Sequence, residues 1–250
     1  MKGNIVYTEL REQLDLKLGS KLINTVPEGI RDEWLNYAYK KNPVNILNIG
    51  FGDREAFAPY DSIWVRPLVT ISQIETILMK SCPIYFNTHK YNGYTLTQNR
   101  ETYVWSSNAN LHPFTPEEIA SNPEKFDYLT PEQGFKKGDL IPFVNELIPK
   151  IEEKIYPYFE EFKTIEDVYT KIFPTIETSQ YNGLPLYQRA FAGFQFEKAL
   201  IVLKEMQDLN FKEYYEWYKK TIPLGIKQQP IIWQKHHEIF PEFEANYLLK

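Results

Sequence analysis

The sequence predicts an α+β fold: a small, mostly antiparallel sheet over about residues 44–106, packed against N-terminal helices and a helical C-terminal half. Three observations carry this expectation. Val44–Gly52 and Ser62–Ile71 alternate side chains with the two-residue period of a strand. Asn92-Gly93 is a strong hairpin signal, because both residues tolerate positive φ. Asp139–Phe162 instead repeats its apolar residues at three- and four-residue steps, as one face of a long helix does.

Taken in order, residues 5–18 set Tyr7, Leu10, Leu14 and Leu18 in helical step. A second helix is expected over about 28–41, where Ile30, Trp34, Leu35 and Ala38 share a face and Pro43 ends it. Leu47, Ile49 and Phe51 then line one side of the first strand. Pro67 inside the second strand points to an edge or a bulge. Ser72 and Glu75 read as a capping box that opens a short helix, stopped by Cys82 and Pro83. Ile84–Tyr91 and Tyr94–Asn99 are the two arms around Asn92-Gly93, and Thr102–Ser106 extends the second arm or adds a strand. Residues 107–138 are loop chemistry, with helix starts at Thr115-Pro116 and Thr130-Pro131.

The amphipathic stretch that follows places Leu140, Phe143, Leu147, Ile151, Ile155, Tyr158 or Phe159, and Phe162 on one stripe. Pro142 fits in the first turn. Pro149 and Pro157 each delete a backbone hydrogen bond, so the helix is expected to be kinked or split near both. Thr164 and Asp167 start another helix, to about Phe173. After a linker, Leu186–Leu209 forms a second long helix. Phe211–Thr221 forms a third, broken by Pro223 and Gly225 ahead of an irregular tail. We expect one domain over 1–250, with sub-structure at 1–106 and 139–250 joined by the 107–138 connection.

A chain of 250 residues buries a core without disulfides or metal. Its net charge is −5, and its 22 Lys and six Arg are dispersed, which argues against a nucleic-acid partner. The single cysteine, Cys82, excludes an internal disulfide and a Cys-based zinc site. No apolar run is long enough to span a membrane, and the N-terminus lacks a secretory pattern, so no membrane partner is expected and the protein reads as cytoplasmic.

No catalytic motif is present, so no catalytic residue, metal ligand or cofactor is expected. His236-His237 lacks the spacing of a zinc pair and reads as an exposed pair near the chain end; His89 reads as a solvent-facing strand residue. Cys82 reads as a buried, inert thiol. Two surfaces stand out for a protein partner. From Glu146 to Asp167 there are seven acidic residues against three lysines, and Glu152, Glu153, Glu160 and Glu161 form the centre of that acidic helical face. Tyr214, Tyr215, Trp217 and Tyr218 are four large rings in five residues, read as an aromatic contact patch because they cannot all face one core.

The order helix, strand pair, hairpin, then LIPFVNELIPKIEEKIYPYFEEFKTIEDV resembles bacterial domains of unknown function, some thought to be immunity proteins of polymorphic toxin systems. The resemblance covers roughly 44–210 and rests on helix texture, so it carries over no site residues. It implies a protein of inhibitor or immunity type; together with the two surfaces read from the residues, the leading expectation is a binding protein that engages a basic partner through the acidic face or the aromatic patch. The alternatives are an enzyme with a Tyr-lined cleft between sheet and helices, and a structural or assembly subunit. Oligomeric state is left open by the sequence.

Overall fold

The computed structural model describes residues 3–25, 34–53, 61–89, 93–97, 101–104, 112–113, 141–180 and 182–250. Helix α1 (Gly3–Leu18) leads into β1 (Leu22–Asn24), β2 (Trp34–Tyr39), β3 (Asn42–Asp53) and β4 (Asp61–Val69). Helices α2 (Ser72–Ser81) and α3 (Pro83–Thr88) follow, then β5 (Leu96–Thr97), β6 (Glu101–Val104) and β7 (His112–Pro113). The C-terminal half holds α4 (Ile141–Lys150), a π-helical segment (Ile151–Ile155), α5 (Tyr156–Glu161), α6 (Ile165–Lys171), α7 (Gln195–Glu205), α8 (Phe211–Gln228) and α9 (Pro230–Phe243), ending in a second π-segment (Glu244–Leu248). The protein is α+β. It divides into two compact units interleaved in sequence, 1–68 with 98–160 and 69–97 with 161–250.

The first unit is built on the sheet, ordered β1-β2-β3-β4-β6-β7, with antiparallel neighbours throughout. It starts earlier than expected, at residue 22. The expected helix over 28–41 is corrected: its described part, Trp34–Tyr39, is strand β2. The spacing of Leu35 and Ala38 mimicked a helical face, but Leu35, Tyr37 and Tyr39 alternate into the core and β3 supplies the backbone partners. Leu35, Ile49 and Val65 are opposed across β2, β3 and β4, all 1% exposed. Only one N-terminal helix is described, α1, which buries Leu14 and Leu18 and packs on α4 and β1. Pro43 ends no helix; it lies in the first residues of β3. Strand β4 is paired on both sides over Ser62–Val65, so it is not an edge there; Pro67 sits beyond its β6-paired stretch, where the missing N–H breaks no β6 ladder bond.

Of the apolar stripe expected over 139–162, Leu147, Ile151, Ile155, Phe159 and Phe162 are buried, with Phe159 rather than Tyr158 in the core; Leu140 and the side chain of Phe143 lie outside what is described, and Val144, not counted in the stripe, is buried as well. The two proline breaks become one device. Pro149 is accommodated inside α4, and the π-segment then opens the helix just before Pro157. There Tyr156 N–H bonds back five residues to Ile151 O, the wider turn that makes room for the proline ring over the preceding carbonyls.

The second unit packs α2 against α7 and α9, α6 against α7, and α7 and α9 against α8. Thr164 and Asp167 form the expected reciprocal capping box of α6. Burial pushes the Asp167 carboxyl up, but donors from Lys163 N–H, Lys171 and Thr164 outweigh it and hold the pKa near about 2. Four expectations are corrected here. Ser72 and Glu75 make no cap: Ile71 is the N-cap, without a side-chain bond, and Glu75 is buried instead. Ile84–Thr88, expected as a hairpin arm, is helix α3, because Pro83 sits at its first turn where no N–H is needed. Asn92 and most of 107–138 lie outside the described residues. The single helix expected over 186–209 is a short 3₁₀ turn (Tyr187–Ala190) and then α7, separated where Gly193 and Phe194 take positive φ. Finally, α8 continues through the exposed Pro223 and the buried Gly225, and the tail is helix α9 rather than irregular. Gly225 gives room to the Trp233 ring of α9: a Cβ there would lie 2.2 Å from it.

Candidate functional site

The first unit carries a cleft of about 430 Å³, lined by Ser20, Lys21, Tyr39, Lys40, Lys41, Glu152, Tyr156, Pro157 and Glu160. Three segments build it. The turn after α1 brings Ser20 and Lys21. The two-residue β2–β3 turn brings Lys40 and Lys41, and Lys40 Nζ donates to Gly19 O, tying the two turns together. The π-segment and α5 supply the opposite wall.

Two charged triads line the cleft. Lys21 Nζ donates to Glu152 Oε1 at 3.0 Å and sits 4.6 Å above the Tyr156 ring. Tyr39 OH donates to Glu160 Oε1 at 2.6 Å, and Lys41 Nζ reaches the same oxygen at 3.1 Å. The rings of Tyr39 and Tyr156 stack at 5.8 Å and 20°, forming an aromatic floor. Both ion pairs are partly exposed, with Lys21 and Glu152 about half accessible, so solvent weakens them. Burial first, then the Glu160 carboxylate, raises the Tyr39 phenol. Burial, then Glu152, pushes Tyr156 up to about 12. The hydrogen bond and charge of Glu160 raise the Lys41 ammonium.

Of the residues singled out from sequence, Glu152 and Glu160 line this cleft, Glu153 is exposed and does not line it, and Glu161 is exposed in the second unit. Lys21, Tyr39, Lys40 and Lys41 were missed. Reading 28–41 as helix hid the Lys40-Lys41 turn between two strands. The aromatic patch is corrected: Tyr214 and Tyr218 are fully buried, while Tyr215 and Trp217 are half-buried. Helix α8 lies against α7 and α9, so its rings meet cores on two sides: Tyr214 approaches Tyr187, and Tyr218 stacks on Phe196 at 4.8 Å.

The second unit holds a buried polar core that no local motif announced. Lys198 Nζ pairs with Glu75 at 2.9 Å and donates to the carbonyls of Tyr94 and Ala192. Thr95 Oγ1 accepts from Ile71 N–H and donates to Glu75. Burial pulls the Lys198 pKa down, opposed by Glu75. Alongside, Glu197 accepts from Tyr218 OH, and His236 Nδ1 lies 3.0 Å from both its oxygens. A carboxylate only accepts, so Nδ1 carries a hydrogen. His236 is thus buried rather than exposed, because α9 is a packed helix; His237, its neighbour, points out to solvent. His89 is exposed as expected but caps α3 rather than a strand, its ring stacked on Tyr85. Cys82 is buried, and burial with the charges of Glu197 and Glu242 raises its thiol well above the usual range. Among the described residues, no three of His, Cys, Asp and Glu gather as a metal site needs, and no helix is long and apolar enough to cross a membrane.

Comparison with known protein families, with characterised proteins and with solved structures found no match.

Proposed function

We propose that this chain is a binding protein of inhibitor or immunity type, and that its working surface is the first-unit cleft with the glutamates beside it. The partner is another protein that presents a basic side chain. The observation that carries this reading is the pair of exposed, internally occupied cation positions. Lys21 already rests on Glu152 and over Tyr156, and Lys41 rests on Glu160 and Tyr39. An incoming arginine fits either position better than lysine, since its planar fork takes a carboxylate bidentately and stacks on a tyrosine face. Exposed Glu153, the residue after Glu152, adds negative charge to the same helical segment.

The same Tyr-lined cleft between sheet and helix is what an enzyme would need, and this is the second reading. Proton transfer works best with groups tuned toward neutral pH. Here Tyr39, Tyr156 and Lys41 are all displaced away from it. That favours recognition over chemistry.

Titration calorimetry with oligo-arginine and oligo-glutamate peptides separates the possibilities. Oligo-arginine binds the chain, weakens as salt rises, and loses about tenfold or more in affinity in Glu152→Gln/Glu160→Gln. Lys21→Ala, which removes the internal competitor, strengthens it. Binding of oligo-glutamate alone, or a weakening of arginine binding by Lys21→Ala, would sink the proposal.

A further inference from the structure

Between Glu216 and Glu238 the chain runs 21 residues without an acidic side chain, in a protein of net charge −5. The run holds Lys219, Lys220, Lys227 and Lys235, and it is the helical hairpin formed by the end of α8 and the start of α9. Lys219 is taken by Glu244 at 2.6 Å, and Lys235 lies over the Phe194 ring. Lys220 and Lys227 make no ion pair among the described residues. With Pro223 and Leu224 they fall at i, i+3, i+4 and i+7, one stripe of α8, and all four are exposed. The hairpin end adds apolar surface: Leu224 is 56% exposed, Ile231 95% and Ile232 54%.

We infer that this hairpin end is a peripheral docking surface for an anionic lipid bilayer. Charge selects the occupant's sign, since Lys220 and Lys227, without an ion pair among the described residues, bracket Leu224 along α8 and no carboxylate interrupts the run. Composition selects lipid over protein. Protein interfaces concentrate Tyr, Trp and Arg and are depleted in Lys, whereas the exposed side chains of this tip are Leu and Ile with Lys, Gln and Pro, and no Arg or Tyr. The apolar side chains enter the headgroup boundary while the lysine stems reach back to the phosphates. Such contact lies on a membrane and needs no spanning helix. It concerns the second unit alone and is independent of the cleft.

Co-sedimentation of the full chain with phosphatidylcholine vesicles, with or without phosphatidylserine, tests this. The chain pellets with the phosphatidylserine vesicles and is released by salt. Lys220→Glu/Lys227→Glu weakens binding by at least about tenfold, and Ile231→Ser/Ile232→Ser weakens it comparably. All four side chains are exposed, so both variants keep the parent's unfolding midpoint. No pelleting, equal pelleting on phosphatidylcholine alone, or binding unchanged in both variants overturns the inference. So does an ultracentrifuge result in which Ile231→Ser dissociates a dimer, since the tip would then belong to a second copy.

Discussion

Lys198 illustrates how a single residue constrains the second unit. Its ammonium is fully buried, and its three hydrogens are met by Glu75 and two carbonyls. Replacing Lys198 with Met leaves the Glu75 carboxylate buried without its cation, which costs about 3–5 kcal/mol in urea unfolding. Adding Glu75→Leu to the same chain recovers most of that loss, because an apolar pair removes the stranded charge. A Lys198→Met chain as stable as the parent would show that solvent reaches the pair. From sequence, Glu75 looked like a helix cap because Ser72 stands three residues before it. That pattern is local, whereas the cation that captures Glu75 comes from a helix far along the chain. The cue present was a charged pair, Glu197-Lys198, leading into the apolar run Ala199–Leu203, too polar for a face buried throughout.

At the level of elements, helix ends decided what was legible. The capping box of α6 was readable because all its partners lie within four residues. The end of α7 was not. It closes as a Schellman motif, with Gln207 N–H on Lys204 O and Asp208 N–H on Leu203 O, and Gln207 in the left-handed region at φ 53°. Glycine is the residue that marks such an end, and its absence made the helix look longer. Gln207→Gly should therefore raise stability by about 1 kcal/mol, seen as a higher thermal midpoint. A lower midpoint would mean that the Gln207 side chain contributes more than its backbone costs. The reverse error occurred at Pro223 and Gly225, read as breakers. Pro223 faces solvent and Gly225 admits the Trp233 ring, so both serve a continuous helix.

On the scale of the whole molecule, the interleaving of the units could not be read from sequence. Composition placed a division at the 107–138 connection, yet residues 69–97 contribute Ile71, Ile74, Leu78 and Glu75 to the core of the second unit. A fragment of 139–250 lacks all of these and leaves Lys198 without its carboxylate. By circular dichroism it melts without a cooperative transition, and a peptide of 69–97 added in trans restores one. A fragment that melts sharply alone would show that α2 is dispensable to that core. The fold class was legible because strand and helix periods are local properties; which strands and helices share a core depends on distant contacts that no window of sequence contains.

The π-segment has one more consequence, concerning phase. From Leu147 to Phe159 the buried residues Leu147, Ile151, Ile155 and Phe159 are spaced four apart, as are the cleft residues Glu152, Tyr156 and Glu160. In an α-helix each four-residue step overshoots one turn by about 40°, so such rows would spiral away from a straight wall. The wider turn over Ile151–Ile155 holds more residues per revolution and absorbs that excess. With it, Ile151, Ile155 and Phe159 are all buried while Glu152 and Glu160 both line the cleft. The run of four-residue steps from 147 to 160 is centred on that π-turn.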